Sequence, residues 1–150
     1  MHFCLIDRVL ERTDNSIVTL KSVSNAEEYL LDHFPGFPVL PGVMMIESLV
    51  QAARAWAASR PGNAPTDSRL VLGGVRGVKY GSFVRPGECL RVEVLLHKAH
   101  DDGSLEFKGE GTVVSAAVPG AIPGDASART AVSGRFTLRP LRIGARPSHS

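Results

Sequence analysis

Few features of this sequence point to a specialised class of protein, and the missing features are informative. Only two of its 150 residues are cysteines, Cys4 and Cys89, and neither has a partner at the spacing of a metal site. Two isolated cysteines are typical of reduced thiols in a cytoplasmic protein. No two histidines fall at His-x-x-x-His spacing, so no zinc site is supported among His2, His97, His100 and His149. We therefore expect a cytoplasmic protein without a bound metal.

Signals for secretion, membrane insertion and nucleic-acid binding are also missing. The N-terminus lacks the apolar core of a signal peptide, since it includes Asp7, Arg8, Glu11 and Arg12. The best membrane-spanning candidate is interrupted by Glu47, Gln51 and Arg54. The net charge is only +2, and no basic run with interleaved aromatic residues occurs. We expect neither a membrane segment nor a nucleic-acid partner.

Two common enzyme motifs are absent as well. Without a Gly-x-Ser-x-Gly motif, Ser48 is predicted to be an ordinary helix residue rather than a nucleophile. The glycine-rich residues 73–77 match neither the dinucleotide fingerprint nor the phosphate-binding loop with its lysine. We interpret these glycines as allowing a strand to bend.

The chain length and the order of its patterns predict a single α+β domain. At 150 residues, without an internal repeat, the chain can form one domain with its own core. A helix pattern starts at Val43 and stops before Pro61 and Gly62. Strand-like runs occur at residues 17–23, 70–80, 89–98, 104–118 and 130–139. One long helix followed by several strands is typical of the α+β class.

The sequence also predicts the connections between these elements. Residues 101–103, Asp-Asp-Gly, are a plausible hairpin turn between two of the strands. Residues 119–129 are longer than a hairpin needs, and we expect a surface loop there. We assign residues 1–141 to the domain and expect residues 142–150 to be a flexible basic tail.

The most informative segment runs from His33 to Glu47. Three prolines and two glycines occur among its first ten residues, and they exclude a helix or a central strand before Val43. Pro41 and Gly42 stand at the start of the predicted helix, where backbone N–H groups are unpaired and the helix dipole is positive. The segment therefore presents a histidine, a helix N-terminus and a carboxylate in close succession.

Glu47 is the only acid on the predicted apolar stripe of this helix. The stripe, at spacings of three and four residues, consists of Val43, Ile46, Glu47, Val50, Ala53 and Ala57. A carboxylate on a buried face costs free energy unless it is paired, protonated or functional. Taken alone, Glu47 could reach solvent or pair with Arg54, and His33 could be a surface residue. Together with the helix start, the two residues suggest a base, an acid and an oxyanion site.

Residues 31–53 resemble the signature of the beta-hydroxyacyl-acyl carrier protein dehydratases. That pattern runs Gly-His-Phe-Pro-x-x-Pro-x-x-Pro-Gly-Val, then Glu fourteen residues after the histidine, then Ala-Gln. The matching residues are His33, Phe34, Pro35, Pro38, Pro41, Gly42, Val43, Glu47 and Gln51. Residues 3–10 are similar to the opening strand of the family, and residues 84–90 to its Val-x-Pro-Gly-Asp-x-Leu element. The resemblance implies a hot-dog fold, in which a curved antiparallel sheet wraps a long central helix.

The resemblance implies an enzyme that dehydrates (3R)-3-hydroxyacyl thioesters to trans-2-enoyl thioesters in fatty-acid or related lipid biosynthesis. The substrate would be carried by acyl carrier protein or coenzyme A. His33 would take the α proton, the Gly42 backbone N–H would bind the thioester oxygen, and Glu47 would orient or protonate the leaving hydroxyl. The acyl chain would lie in an apolar tunnel whose candidate lining residues are Phe37, Val43, Met44 and Met45. This chemistry requires no cofactor and no metal.

The resemblance also implies assembly. In this family the histidine and the acid of one site come from different subunits, so we expect a homodimer or a higher homo-oligomer such as a trimer of dimers. Two alternatives stay open: a hot-dog acyl thioesterase, which would activate water, and a non-catalytic acyl-binding protein. The non-catalytic alternative fits two departures from the family pattern. Asp32 stands in place of a Gly, and residues 81–83, Gly81, Ser82 and Phe83, stand in place of a basic pair and a proline. The fourteen-residue spacing of His33 and Glu47 favours dehydration.

Overall fold

One helix and six strands make up the part of the chain that the structure describes. The computed structural model describes residues 4–61, 69–115 and 129–141. The strands are β1 (Arg8–Arg12), β2 (Ser16–Ser22), β3 (Leu70–Tyr80), β4 (Glu88–Ala99), β5 (Leu105–Ser115) and β6 (Arg129–Pro140). The helix is α1 (Gly42–Ala58), and a short 3-10 turn, Glu28–Leu30, precedes it.

All six strands belong to one antiparallel sheet, in the order β1-β2-β4-β5-β6-β3. The helix α1 contacts strands from β2 across to β3, so it lies against one face of the whole sheet. A single long helix held by a curved antiparallel sheet is the hot-dog arrangement, and the α+β prediction is confirmed. Strands β1 and β3 form the two edges of this sheet.

The core lies between α1 and the inner face of the sheet. Trp56 of α1 is fully buried and meets Phe107 of β5 edge-on, with the ring centroids 5.6 Å apart. Phe107 in turn stacks on Phe136 of β6. Burying a side chain such as Phe107 contributes about 1.5–3 kcal/mol. Glycine lets the helix come close, because a Cβ on Gly109 would lie 3.0 Å from the side chain of Leu49.

The buried face of α1 is rotated from the predicted stripe. Val50, Ala53 and Ala57 are buried as expected, but the prediction for Val43 is wrong, since 71% of it is exposed. Apart from Ser48, the other buried residues of α1 are Met45, Leu49, Ala52 and Trp56, each one position before a member of the stripe. Trp56 decides the orientation, because it is the largest side chain of the helix and its Nε1–H donates to the Thr13 carbonyl at 3.1 Å.

The opening strand begins later than the sequence predicts. The strand was expected within residues 3–10, whereas β1 spans Arg8–Arg12 and residues 4–7 are not in the sheet. The reason is tertiary, because the Leu5 N–H donates to the side chain of Gln51 in α1. Asp7 likewise uses its carboxylate to accept the Ser22 N–H at 2.7 Å.

The predicted turn at residues 101–103 is confirmed, with Gly103 at φ +88° and the His100 N–H bonded to the Ser104 carbonyl. The expected loop at 119–129, apart from its last residue, and the expected tail at 142–150 lie outside the described residues. Within the described residues, no helix is long and apolar enough to cross a membrane.

Candidate active site

His33 lies half-buried in the loop that leads into α1. Its Nδ1 is 3.1 Å from the Val39 carbonyl, and its own carbonyl accepts the Val39 N–H at 2.9 Å. A carbonyl can only accept a hydrogen bond, so Nδ1 carries the proton and the neutral ring leaves Nε2 as its basic atom. Among the described residues nothing hydrogen-bonds to Nε2, which is therefore available to a substrate.

The loop itself is held by backbone hydrogen bonds on both sides. Phe34 and Phe37 exchange two such bonds, each 2.9 Å, around Gly36 at φ +77°, a conformation that favours glycine. The Leu40 N–H donates to the Val84 carbonyl at 2.8 Å and joins the loop to the segment before β4. These bonds hold the histidine at a defined distance from the helix start.

The N-terminus of α1 offers unpaired donors. Pro41 is the N-cap and its carbonyl accepts the N–H groups of Met44 and Met45. The N–H groups of Gly42 and Val43 have no acceptor within the described residues, as expected for a first helical turn. Tyr80 of β3 lies directly over Gly42, because a Cβ there would be 2.7 Å from its ring. Glycine, which has no Cβ, is thus the residue that fits beneath this ring.

Glu47 is half-buried, one turn further along α1, and its carboxylate is held in place. The Gln51 Nε2–H donates to the Oε1 of Glu47 at 3.2 Å, and the Gln51 Oε1 accepts the Leu5 N–H at 2.8 Å. The amide therefore fixes one carboxylate oxygen, while Oε2 has no hydrogen-bond partner within the described residues. Arg54 donates to the Leu70 carbonyl instead, so the alternative of a Glu47–Arg54 pair is not found.

Within one protomer the histidine and the acid do not meet. No hydrogen bond or ion pair joins His33 to Glu47, and none joins His33 to the exposed Asp32, in the part of the chain that the structure describes. The same residues contain no group of three side chains that could hold a metal ion. His33 and Glu47 are therefore not paired with each other within one described chain.

The candidate tunnel residues occupy different environments. Met45 is buried in the core of the protomer and Met44 is packed against it. Val43 and Phe37 are exposed, and Phe37 packs edge-on against Phe83 with the Arg85 guanidinium 5.3 Å above its ring. An exposed apolar surface therefore surrounds the start of α1.

Sequence reasoning missed two parts of this arrangement. The sequence predicts Tyr80 only as the end of a strand, and no local pattern indicates that its ring covers Gly42. The role of Gln51 could have been found, since residues four apart on a helix are neighbours and Gln51 follows Glu47 at that spacing. Its second partner, Leu5, lies 46 residues away in the sequence and could not.

An ionic cluster around the buried Lys21 lies beside the segment before His33. Lys21 of β2 is only 7% exposed and pairs with Glu27, with Asp7 at 3.8 Å. Burial, with the negative charge of Glu27 beside it, raises the pKa of Tyr29, so its hydroxyl stays protonated. The cluster connects β2 to the 3-10 turn that leads to the histidine loop.

The departure from the family pattern at Gly81 has a structural cause. Gly81 follows β3, where its N–H donates to the Ala131 carbonyl. A Cβ on Gly81 would overlap the Thr130 carbonyl oxygen. The backbone path of this chain therefore does not admit a larger residue at that position.

Comparison with known proteins agrees with the geometry. A sequence model described as the FabA-like domain matches residues 1–117. The chain belongs to the FabA-like domain family. Its relatives include "3-hydroxyacyl-[acyl-carrier-protein] dehydratase FabZ" of Lactococcus lactis subsp. cremoris (strain SK11), 37% identical over 71% of this chain and 81% of the relative. The protein of the same name from Polaromonas naphthalenivorans (strain CJ2) is 41% identical over 70% of this chain and 73% of its own length.

Solved structures support the fold of this FabA-like chain. The dehydratase heterocomplex ApeI:P from Xenorhabdus doucetiae includes a chain that superposes with a TM-score of 0.59. The superposition covers 89% of this chain and 96% of that one, at 18% sequence identity. At that identity the likeness establishes the hot-dog fold alone.

Proposed function

We propose that this protein dehydrates (3R)-3-hydroxyacyl thioesters on acyl carrier protein to trans-2-enoyl thioesters, in fatty-acid or related lipid biosynthesis. The observation that carries the proposal is the arrangement of three groups: the free Nε2 of His33, the unpaired Gly42 N–H and the oriented carboxylate of Glu47. Membership of the FabA-like family and the names of its FabZ relatives support the same activity.

The reaction removes one proton from the α carbon and one hydroxide from the β carbon. His33 Nε2 takes the α proton, and the electron pair of the broken C–H bond moves toward the thioester carbonyl. The Gly42 N–H stabilises the negative charge on that oxygen, a contribution of about 10² to 10³ in rate for one such donor. The electron pair then forms the α–β double bond as the C–O bond breaks, and Glu47 gives its proton to the leaving hydroxide to release water.

Glu47 must hold a proton for that last step. The amide of Gln51 holds Oε1, so the free Oε2 is the oxygen that faces the substrate hydroxyl. Transfer of the proton from His33 to Glu47 through water restores both groups for the next turnover.

We infer that one site is completed by two chains, with His33 of one protomer opposite Glu47 of the partner subunit. The absence of a His33–Glu47 contact in the described protomer supports this. So does the free edge of β3, since an unpaired strand edge is a template for a second chain. The unit is a homodimer, or a higher oligomer such as a trimer of dimers built from it.

The acyl chain then lies in a tunnel at this interface, with Phe37, Val43, Met44 and Met45 as its proposed lining. The exposure of Phe37 and Val43 supports the proposal, because apolar side chains at the start of α1 are left for a ligand or a second chain to cover. We further propose that the enzyme works in the cytoplasm and needs no cofactor.

One incubation tests this function against its alternatives. The purified protein is mixed separately with 3-hydroxybutyryl and with butyryl thioesters. A dehydratase forms enoyl thioester from the first and leaves the second intact. Release of free thiol from butyryl thioester would indicate a thioesterase, and no product from either would indicate a non-catalytic acyl-binding protein.

A further inference from the structure

Lys21 is a buried charge that the proposed mechanism does not use. It lies on β2, is only 7% exposed, and pairs with Glu27 and, at 3.8 Å, with Asp7. Burying a charge costs free energy, and apolar residues in place of a buried ion pair are often as stable as the pair or more stable. Stability alone therefore does not explain an ammonium group at this position. Its contribution is the fixed placement of two other segments of the chain.

The first of these segments, residues 4–7, leads to the acid, and we name it the acid arm. Asp7 ends this arm at the ammonium group. Two residues earlier, the N–H of the buried Leu5 donates to the side chain of Gln51 at 2.8 Å, and the Gln51 amide donates to Glu47 at 3.2 Å. Two residues of chain span at most about 7 Å. The position of Asp7 therefore limits where the amide that orients the carboxylate can lie.

The second segment, residues 27–33, leads to the base, and we name it the base arm. Glu27 begins this arm at the ammonium group, and its carbonyl accepts the Leu30 N–H at 3.1 Å in the 3-10 turn. Leu30 is buried in the core and Tyr29 packs against that core. His33 follows Leu30 by three residues. The contact between Glu27 and the ammonium group therefore sets where the histidine loop starts.

The end of β2 gives this lysine a fixed base in the sheet. β2 is paired with β4 as far as Ser22. Beyond it the Val23 N–H donates to the Glu88 carbonyl at 3.0 Å, and the Val23 carbonyl accepts the Gly87 N–H at 2.9 Å. Among the described residues, Lys21 is the only side chain that forms ion pairs with both arms. It therefore joins the two arms to the sheet and to each other.

We propose that Lys21 is a positioning residue of the dehydration reaction, whose ammonium group holds the acid arm and the base arm of one protomer at their working separation. This inference rests on the proposed function, because the arms matter to catalysis only if Glu47 and His33 act as acid and base. Misplacement by about 1 Å, caused by a residue far from the chemistry, can cost about 10²-fold in rate. With a site shared between two chains, each Lys21 orients the base of one site and the acid of the other.

The test separates positioning from stability. Lys21→Met leaves Glu27 buried without its partner, so the melting temperature should fall together with kcat. Lys21→Met with Glu27→Gln removes both buried charges, while the half-exposed Asp7 still accepts the Ser22 N–H. In this double variant the melting temperature should return toward that of the wild type, but kcat should stay about 10-fold to 10²-fold below it.

The substrate for these measurements is the 3-hydroxybutyryl thioester of N-acetylcysteamine, and the absorbance of the enoyl product gives kcat and KM. KM should be unchanged in both variants, because Lys21 is buried and acts through the two arms rather than on the substrate. Arg91→Met with Glu93→Gln is the matched control, since it removes an ion pair of β4 in which neither arm takes part. This control should keep the wild-type kcat.

Four results would overturn the proposal: wild-type kcat in Lys21→Met, recovery of kcat together with the melting temperature in the double variant, a double variant that does not fold, or an equal loss of kcat in the control. The second and third would show that the cluster serves stability alone. If the wild type converts no 3-hydroxyacyl thioester, the proposed function fails. An active wild type whose kcat does not depend on Lys21 would reject this inference and leave the proposed function standing.

Discussion

At the scale of single residues, the proposed mechanism has His33 and Glu47 act through atoms that other groups in the described chain leave free. His33→Ala removes the base and Glu47→Gln removes the acid, so each variant should lose about 10² to 10⁴ of the rate of crotonyl-thioester hydration. Both side chains are half-buried and outside the main core, so the melting temperature should change little. Absorbance of the enoyl thioester and a thermal melt measure the two quantities. Near-wild-type turnover in either variant would contradict the assignment.

In the proposed mechanism, Gln51 acts on the same reaction through its hydrogen bond to Glu47. In Gln51→Leu the carboxylate loses a donor and the Leu5 N–H loses its acceptor. We expect kcat to fall about tenfold with KM little changed, as for the loss of one hydrogen bond of roughly 1.4 kcal/mol. Gln51→Glu separates the two contacts, since a carboxylate still accepts from Leu5 but cannot donate to Glu47 when ionised. Full kcat in both variants would show that Gln51 has no positioning role.

At the scale of elements, the close approach of α1 to β5 depends on Gly109. An alanine Cβ would lie 3.0 Å and 3.2 Å from the Leu49 methyl groups and 3.2 Å from the Phe136 ring. Such overpacking should lower the free energy of unfolding by about 1–3 kcal/mol. Gly74→Ala in β3 is the matched control, because nothing lies within 4 Å of its added Cβ. Equal urea midpoints for the two variants would mean that the helix shifts without cost.

At the scale of the whole molecule, assembly should restore activity that single variants lose. Since each site would combine His33 of one protomer with Glu47 of the partner subunit, mixing inactive His33→Ala and Glu47→Gln chains creates one intact site per mixed dimer. Equal amounts exchanging at random make half of the dimers mixed, so activity should approach about a quarter of wild type for a two-fold dimer. Native mass spectrometry with one tagged chain verifies the exchange. Mixed dimers that stay inactive would place the site within one chain.

Local patterns in the sequence determined many of the structural elements of this protein. The breaker-rich loop after His33 and the start of α1 follow from proline and glycine, which restrict the backbone regardless of what surrounds them. The strand β3 follows from the apolar-rich run at residues 70–80, and the turn at Gly103 follows from a positive φ that favours glycine. The resemblance of residues 31–53 then placed the base, the acid and the oxyanion donor in one segment.

Tertiary structure alone decided the features that join distant residues. The buried face of α1 is rotated by about one residue from the predicted stripe, and Trp56 on that face is buried against Phe107 of β5. Leu5 lies outside the sheet, where its N–H donates to the side chain of Gln51. Arg76, Arg135 and Lys108 lie opposite one another only because β3, β6 and β5 are neighbours in the sheet. Contacts between residues tens of positions apart depend on packing and strand order, which local periodicity does not encode.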